Sequence, residues 1–381
     1  MKTTRDARYH EIIAHLRQIR EDRKITQTVL AEKLDSAQSL VAKVESAERR
    51  LDIVEFFDWL KALEYEPKQF FEEIGWFPRH IEEAGLVPIP LRGQVEKHPR
   101  GVRVPLVWQG QNHYIVLEGT TTHKYLKIEE EIVGLFGQLN QPKPPFKNRE
   151  AIAQALLLAV DEMPDLNPSD VYQHIIYRLY IREYTQSKAD HSWVRAGGEA
   201  VEVFIERRYR ERLAAAGITI RALLSGRAKA EASAAMDLLS IGASKLDIAL
   251  YGEHRGRQVI FGGIHSKASL AERVSDDEPC SRRMIEKGLV SILYTFDSKS
   301  FPPPHGDLVN KGELGSIEQP SAKRKYVEVD GIFSACFSYN LRSVPSPLTT
   351  PSNRRIFVSS LKPEEDTLPD FIIDAWKQFH S

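Results

Sequence analysis

Three side chains near the middle of the chain have the types and spacing needed for metal-dependent phosphate chemistry. Asp247 lies in an alternating stretch, 244–252, and Lys267 ends an apolar stretch, 257–267, that also contains His265. Both stretches are typical of β-strands, and the short charged segment between them indicates a turn. Antiparallel strands joined by a short turn lie side by side, so we expect Asp247 and Lys267 to meet at one end of a sheet, with His265 and Lys267 on one face.

A carboxylate and a lysine that meet at the end of a sheet suit the hydrolysis of a phosphodiester. Asp247 supplies the hard oxygen that Mg²⁺ prefers, and the ion lowers the pKa of a bound water and polarises the phosphoryl oxygen. Lys267 positions or helps to deprotonate that water and offsets the charge that develops on phosphorus. The alternative is a solvated lysine where a strand reaches the surface, which is the commoner situation.

The elements around this pair follow the order helix, strand, strand, helix, strand. Residues 192–217 have the pattern of a helix, with Glu202 on the same face as two other glutamates. After the two strands, residues 268–288 begin as a helix, and residues 289–297 form a further strand. This order predicts a core that mixes helices and strands and presents Asp247 and Lys267 together.

This block resembles the PD-(D/E)xK nuclease superfamily and, more narrowly, type II restriction endonucleases of the ApaLI and BsaWI kind. These carry a Lys-x-Ser-Leu-x-Glu-Arg element after the catalytic strand, which here runs from Lys267 to Arg273. The resemblance implies that Asp247 and Lys267 are catalytic, that Mg²⁺ is the cofactor and Asp247 a ligand of it, and that Ser269 and Arg273 contact DNA.

The second acidic residue of the family pattern is replaced here, because His265 stands in its usual place. The resemblance therefore implies that another carboxylate completes the metal site. Glu202 is the first choice, since helix glutamates serve this role in related nucleases, and Glu272 is the second; each is otherwise a surface glutamate. His265 either packs in the protein or contacts a phosphate, and Arg273 either binds a phosphate or pairs with Glu272.

A second group of motifs lies near the N-terminus, where residues 9–75 have the pattern of a compact helical unit. Apolar residues recur at helical spacing, Thr26 is suited to cap a helix, and a break at Asp35-Ser36 separates two short helices. Two short helices joined by a tight turn are a helix-turn-helix. The stretch resembles the Cro and phage-repressor class, the XRE family.

In the XRE family the second helix of the motif enters the major groove of DNA. The resemblance implies that Gln38, Ser39 and Lys43 face DNA and that Gln27 contacts a phosphate. Asp35 replaces the glycine usual in the turn, but aspartate tolerates the left-handed conformation. The alternative is a helical bundle used for dimerisation.

Composition narrows the class of protein without identifying it. The 381 residues are 42% hydrophobic and 28% charged, which is ordinary for a globular chain of two or three domains. No apolar run is long enough for a membrane span, and the N-terminus lacks the apolar core of a signal peptide. Two cysteines suit a reducing cytosol, and a net charge of −1 leaves room for a local basic surface.

The sequence predicts an α+β protein in three parts. Residues 1–78 form a helical DNA-binding domain, 79–189 a β-hairpin and helical linker or subdomain, and 190–381 an α/β nuclease core with a mixed central sheet and C-terminal recognition or dimerisation elements. The proline-rich passage at 86–105 marks the predicted boundary after the first domain.

The predicted function is that of a Mg²⁺-dependent, sequence-specific endonuclease of double-stranded DNA in the bacterial cytoplasm, with a short palindromic site. The resemblance implies a homodimer and a separate DNA methyltransferase that protects the host, and no membrane partner. Two alternatives remain open: an XRE-type transcriptional regulator whose C-terminal domain is not catalytic, and a repair or structure-specific nuclease with the same chemistry.

Overall fold

The structure is a computed structural model whose chain divides into two compact units, Met1–Ala84 and Gly85–Ser381. It describes residues 7–73, 88–108, 110–238, 246–270, 274–298 and 308–380. None of the helices in these ranges combines the length and the apolar character needed to cross a bilayer.

The described part of the first unit is entirely helical. Its helices are α1 (Ala7–Asp22), α2 (Gln27–Lys33), α3 (Gln38–Glu45), α4 (Ile53–Ala62) and α5 (Pro67–Glu73). A core of apolar side chains, including Leu30, Val41 and Val44, holds them together. Arg20 and Glu45 form an ion pair of 2.5 Å within this unit, with both side chains largely buried.

The predicted helix-turn-helix is confirmed in α2 and α3. The Thr26 hydroxyl caps α2 by accepting a hydrogen bond from the backbone N–H of Val29. Asp35 adopts a left-handed conformation with φ of 47°, which turns the chain toward α3. An aspartate therefore does at this turn what a glycine does in other members of the class.

The second unit opens with an antiparallel sheet. Its strands are β1 (Ile89–Pro90), β2 (Glu96–His98), β3 (Gly101–Trp108) and β4 (Gln111–Glu118). Strand β3 pairs with the other three. The predicted hairpin is the β3–β4 pair, which is in register from Gly101 opposite Glu118 to Trp108 opposite Gln111.

A helical layer follows this sheet. It comprises α6 (Thr122–Gln138), α7 (Asn148–Glu162), α8 (Pro168–Asp170), a π-helical segment (Val171–Ile176), α9 (Tyr177–Glu183) and α10 (Ala189–Ala214). Asn167 caps the start of α8, since its side chain accepts a hydrogen bond from the backbone N–H of Ser169. Helix α10 is the long helix that carries Glu202, and its buried side includes Val201, Val203 and Phe204.

The central sheet has six strands in the order β10-β9-β8-β7-β6-β5. They are β5 (Ile218–Ala222), β6 (Ile248–His254), β7 (Arg257–Lys267), β8 (Val290–Thr295), β9 (Ala335–Ser338) and β10 (Ile356–Val358). Strands β5, β6 and β7 are antiparallel neighbours, whereas β7 to β10 run parallel. The predicted α+β class, with a helical N-terminal part and a mixed central sheet, is confirmed.

Within the described residues, four further helices pack around this sheet: α11 (Gly226–Ala235), α12 (Val274–Glu286), α13 (Ala322–Glu328) and α14 (Leu368–Phe379). One apolar core runs from β3 through α6, α7 and α10 to the central sheet and α14. Helix α14 buries Ile372 and Trp376 in that core. The hairpin and helices of residues 101–180 thus share a hydrophobic core with the sheet that carries Asp247 and Lys267.

Candidate active site

The β6–β7 hairpin brings Asp247 and Lys267 together as the sequence predicted. Arg255 and Gly256, with φ of 51° and 73°, form a two-residue turn of the kind that matches strand twist. Asp247 immediately precedes β6, and Lys267 is the last residue of β7. The Nζ atom of Lys267 lies 3.3 Å from Oδ2 of Asp247.

Asp247 is buried, with 8% of the residue exposed, and its carboxylate is firmly held. Its Oδ2 accepts a hydrogen bond of 2.9 Å from the backbone N–H of Ser266. Its Oδ1 lies 3.2 Å from Nζ of Lys229, a residue of α11. Burial acts to raise the pKa of Asp247, but the charges of Lys267 and Lys229 outweigh it and hold that pKa below its ordinary value. Asp247 is therefore an ionised carboxylate.

Lys267 contacts a second carboxylate, that of Asp277 in α12, with Nζ 2.9 Å from Oδ2. Burial acts to lower the pKa of Lys267, but Asp247 and Asp277 together raise it above its ordinary value. Lys267 is thus a charged ammonium between two carboxylates. It stabilises negative charge and donates hydrogen bonds, whereas a role as a general base would need its neutral form.

Sequence reasoning missed two residues of this cluster, Asp277 and Lys229. Asp277 is one of the buried residues along α12, with Val274, Cys280, Ser281 and Met284. Because these positions form the apolar stripe of the helix, the signal for Asp277 was a charged residue on a face that must be buried. Lys229 lies on a similar buried stripe of α11. The buried residues of this stripe follow Lys229 at helical spacing and are Ala232, Ser233 and Met236.

Glu202, predicted as the second metal ligand, lies on α10 within electrostatic reach of Asp247. Burial is the largest cause that raises the pKa of Glu202, and the negative charge of Asp247 is the next, so that the pKa reaches about 8. Lys229 and Lys267 act in the opposite direction. A buried carboxylate and a half-buried one that repel each other form a place where a cation is stabilised.

His265 lies on β7 but does not reach the surface, since its side chain is completely buried. Its ring packs edge-on against Phe333 with a centroid separation of 5.5 Å. Its Nδ1 atom lies 3.8 Å from Oδ2 of Asp277. These surroundings favour the packing role over the phosphate contact, which stays a prediction.

The segment after Lys267 is tied to a neighbouring loop. The Ser269 hydroxyl and the backbone N–H of Leu270 both donate to Oε2 of Glu313, at 2.8 and 2.7 Å. The other oxygen of Glu313 accepts from Nζ of Lys323 at 2.8 Å. Ser269 therefore helps to hold the chain just beyond Lys267, and its contact with DNA stays a prediction. Glu272 and Arg273, also singled out from the sequence, lie outside the described residues.

The side chains predicted to face DNA in the first unit form a connected group. Gln38, Ser39 and Lys43 are all exposed on α3. The Gln38 amide donates to Oε1 of Gln27 at 2.7 Å, and the Gln27 amide donates to Oε2 of Glu45 at 2.8 Å. Gln38 is thus held in place by a chain of hydrogen bonds that ends in the Arg20–Glu45 ion pair.

The carboxylates of Asp247 and Glu202 offer the kind of oxygen ligand that a divalent metal ion such as Mg²⁺ prefers. In the described part of the chain, no three side chains of His, Cys, Asp or Glu form a group that could hold a metal ion. Mg²⁺ does not need such a group, because it is commonly held by one or two carboxylates together with waters and substrate phosphates. This requirement is met by Asp247 and Glu202. Both are hard oxygen donors, and their negative charges repel each other unless a cation lies between them.

Comparison with known proteins decides the family. Type II restriction enzyme AgeI of Thalassovita gelatinovora is 46% identical over 267 residues, which are 68% of this chain and 94% of that enzyme. The chain belongs to the type II restriction enzymes. A crystal structure of the specific complex of AgeI with DNA aligns with a TM-score of 0.67 and 44% identity, over 72% of this chain and 99% of that one. A pre-specific BsaWI–DNA complex aligns with a TM-score of 0.37 and 14% identity.

Membership of this family confirms that the chain is a site-specific deoxyribonuclease, and the reading as a regulator with a non-catalytic C-terminal domain is not supported. Type II restriction enzymes generally require a divalent metal ion. A family model described as helix-turn-helix matches residues 16–70, which confirms the XRE-like motif. About a third of this chain lies outside the match to the AgeI enzyme, so this restriction enzyme carries sequence which that relative lacks.

Proposed function

We propose that this restriction enzyme cleaves double-stranded DNA at a short palindromic site, with Mg²⁺ held by Asp247 and Glu202 and with Lys267 as its catalytic cation. The contact of Lys267 with Asp247 at the end of the central sheet carries this proposal. AgeI, whose fold this chain shares, has been crystallised in a specific complex with DNA. Double-stranded DNA is accordingly the proposed substrate here.

The residues of the site divide the chemistry of phosphodiester hydrolysis among them. A bound Mg²⁺ would lower the pKa of the attacking water and polarise a phosphoryl oxygen. Lys267 places its ammonium beside Asp247 and stabilises the charge that develops on the scissile phosphate. Asp277 orients that ammonium from the other side. Asp247, fixed by the backbone of Ser266, presents an ionised oxygen for the metal ion.

A palindromic site has two equivalent strands, and a homodimer places one such active site on each strand. We propose this homodimer, the bacterial cytoplasm as the location, and a separate DNA methyltransferase that protects the host genome. The methyltransferase is proposed from the chemistry of restriction and not from a residue of this chain. An enzyme that cuts a short sequence would also cut every unmodified copy of that sequence in the host genome.

We expect purified protein to convert phage DNA into discrete fragments when MgCl₂ is present and to leave it intact in EDTA. The reason is that a sequence-specific enzyme cuts each molecule at the same positions. Gel electrophoresis of the digest is the measurement, and Asp247→Asn is the matched inactive variant. A smear would indicate a less selective nuclease in place of a site-specific one. Intact DNA at all metal concentrations would contradict the proposal.

The helix-turn-helix adds a second proposed contact with DNA, in which Gln38 reads one base edge. A glutamine at the start of a recognition helix forms two hydrogen bonds to adenine in the major groove. The hydrogen bond from Gln38 to Gln27 supports this role, because it fixes the amide orientation before DNA binds. Lys43, exposed on the same helix, is the proposed phosphate contact, and its loss reduces the salt slope of binding by about one unit.

We expect Gln38→Ala to weaken binding by about 1–3 kcal/mol at one base position and to have little effect at the others. Binding isotherms would be measured with DNA selected by the wild-type protein and with its single-base variants. Gln18→Ala, which removes an exposed glutamine of α1 that pairs with Asp22, is the control. If Gln38→Ala discriminates among the variants as the wild type does, Gln38 does not read a base.

A further inference from the structure

Asp247 interacts with two lysines, of which the proposed chemistry uses one. Lys267 and the backbone of Ser266 occupy Oδ2, whereas Lys229 approaches Oδ1 at 3.2 Å. Lys229 comes from α11, a helix distinct from the β6–β7 hairpin that carries Asp247 and Lys267. The oxygen that Lys267 leaves to the metal ion is thus the one that Lys229 contacts.

The position of Lys229 matches that of a counter-ion for the whole carboxylate pair. Its side chain is 21% exposed, so water screens its charge only in part. Its positive charge also acts on Glu202, where it is the strongest charge opposing the repulsion from Asp247. An ammonium in this place offsets part of the negative charge of the two carboxylates, which a divalent ion would offset more fully, and two cations at the same oxygen repel each other.

We propose that Lys229 is a positioning residue that holds Oδ1 of Asp247 in the metal-free enzyme and gives way to the divalent ion. Lys229 then competes with the ion and sets the metal concentration at which the site fills. A lysine suits this role, because its ammonium sits on a flexible stem of four carbons and moves away without disturbing the helix. The inference rests on the proposed metal site at Asp247 and Glu202.

The test is Mn²⁺ binding to the full-length protein without DNA, followed by the electron paramagnetic resonance signal of the free ion. Lys229→Met keeps the length of the side chain and removes its charge. We expect this variant to bind Mn²⁺ roughly tenfold more tightly than the wild type, because a charge at this distance shifts the pKa of a neighbouring group by about one unit or more, and a unit of pKa corresponds to a tenfold change in an equilibrium constant. Lys229→Arg keeps the charge and is expected to bind as the wild type does.

Thermal unfolding provides the second readout. In EDTA, Lys229→Met should unfold at a lower temperature than the wild type, because the carboxylates lose their counter-ion. Addition of Mn²⁺ should restore its unfolding temperature. Arg227→Met removes an exposed cation two residues away, which pairs with Glu231, and is expected to change neither measurement.

Three outcomes would overturn the inference, and they differ from one another. Unchanged or weaker Mn²⁺ binding by Lys229→Met, with DNA binding as in the wild type, would make Lys229 a plain structural partner of Asp247. Weaker DNA binding with unchanged Mn²⁺ binding would make it a phosphate contact. Equal Mn²⁺ binding by the wild type and Asp247→Asn would instead remove the proposed metal site itself, and the role of Lys229 with it.

Discussion

Lys267→Met is expected to lower the rate of DNA cleavage by roughly 10³-fold or more, because it removes the cation that stabilises charge on the scissile phosphate. Asp247→Asn is expected to cause a loss at least as large, since it removes the ionised oxygen offered to the metal ion while its shape and the hydrogen bond from Ser266 are kept. Specific DNA binding should remain measurable for both. Single-turnover cleavage and gel-shift titration in Ca²⁺ are the measurements.

A lysine outside the site controls for the loss of a charge. Lys127→Met removes an ammonium that is 53% exposed on α6 and pairs with Glu131 and Glu162. This variant should cleave at the wild-type rate. Cleavage above a few per cent of the wild-type rate by Lys267→Met or Asp247→Asn would show that the chemistry is performed elsewhere in the protein.

Glu202→Gln is expected to lower the cleavage rate by roughly 10²–10³-fold, through the loss of a metal ligand, and to raise the Mg²⁺ concentration needed for half-maximal rate. Asp277→Asn should cost less, because Lys267 keeps its contact with Asp247, and should leave the Mg²⁺ requirement near that of the wild type. Cleavage rates over a range of Mg²⁺ concentrations separate the two effects.

The matched control for Glu202→Gln is Glu199→Gln, three residues earlier on α10. The Glu199 carboxylate is engaged by Arg149 and Arg195, each at 2.7 Å, so its loss should affect the helix surface and not the chemistry. A larger effect of Asp277→Asn than of Glu202→Gln, with a raised Mg²⁺ requirement, would identify Asp277 as the second metal ligand in place of Glu202.

Local sequence patterns were sufficient for the helix-turn-helix and for the hairpin of the candidate site, both of which depend on neighbours along the chain. The helix-turn-helix follows from a capping threonine at position 26, from apolar residues at helical spacing and from an aspartate that accepts a left-handed conformation. The pairing of Asp247 with Lys267 follows from strand alternation and from the Arg255–Gly256 turn, which leaves the two strands little choice of partner.

The surroundings of His265 and Ser269 are formed by residues distant in sequence, which no local pattern reveals. His265 alternates with Lys267 along β7, which places both on one face of the strand, yet Phe333 from a distant segment covers the histidine and leaves the lysine at the strand end. Ser269 resembles a DNA contact by its place in the motif, but its hydroxyl donates a hydrogen bond to Glu313, far along the chain. Burial by remote segments is a property of the packed molecule.

By itself, then, the sequence determined the two motifs and the central carboxylate–lysine pair, because each is specified by residues close together in the chain or in one hairpin. The predicted order of core elements matches α10, β6, β7, α12 and β8 but lacks β5 and α11, which lie between α10 and β6. Only the tertiary structure decided that Lys229 from α11 and Asp277 from α12 converge on that pair. Their buried-face positions mark them as unusual charges, but the partner of a buried charge is set by how helices pack on the sheet, and that packing joins residues distant in sequence.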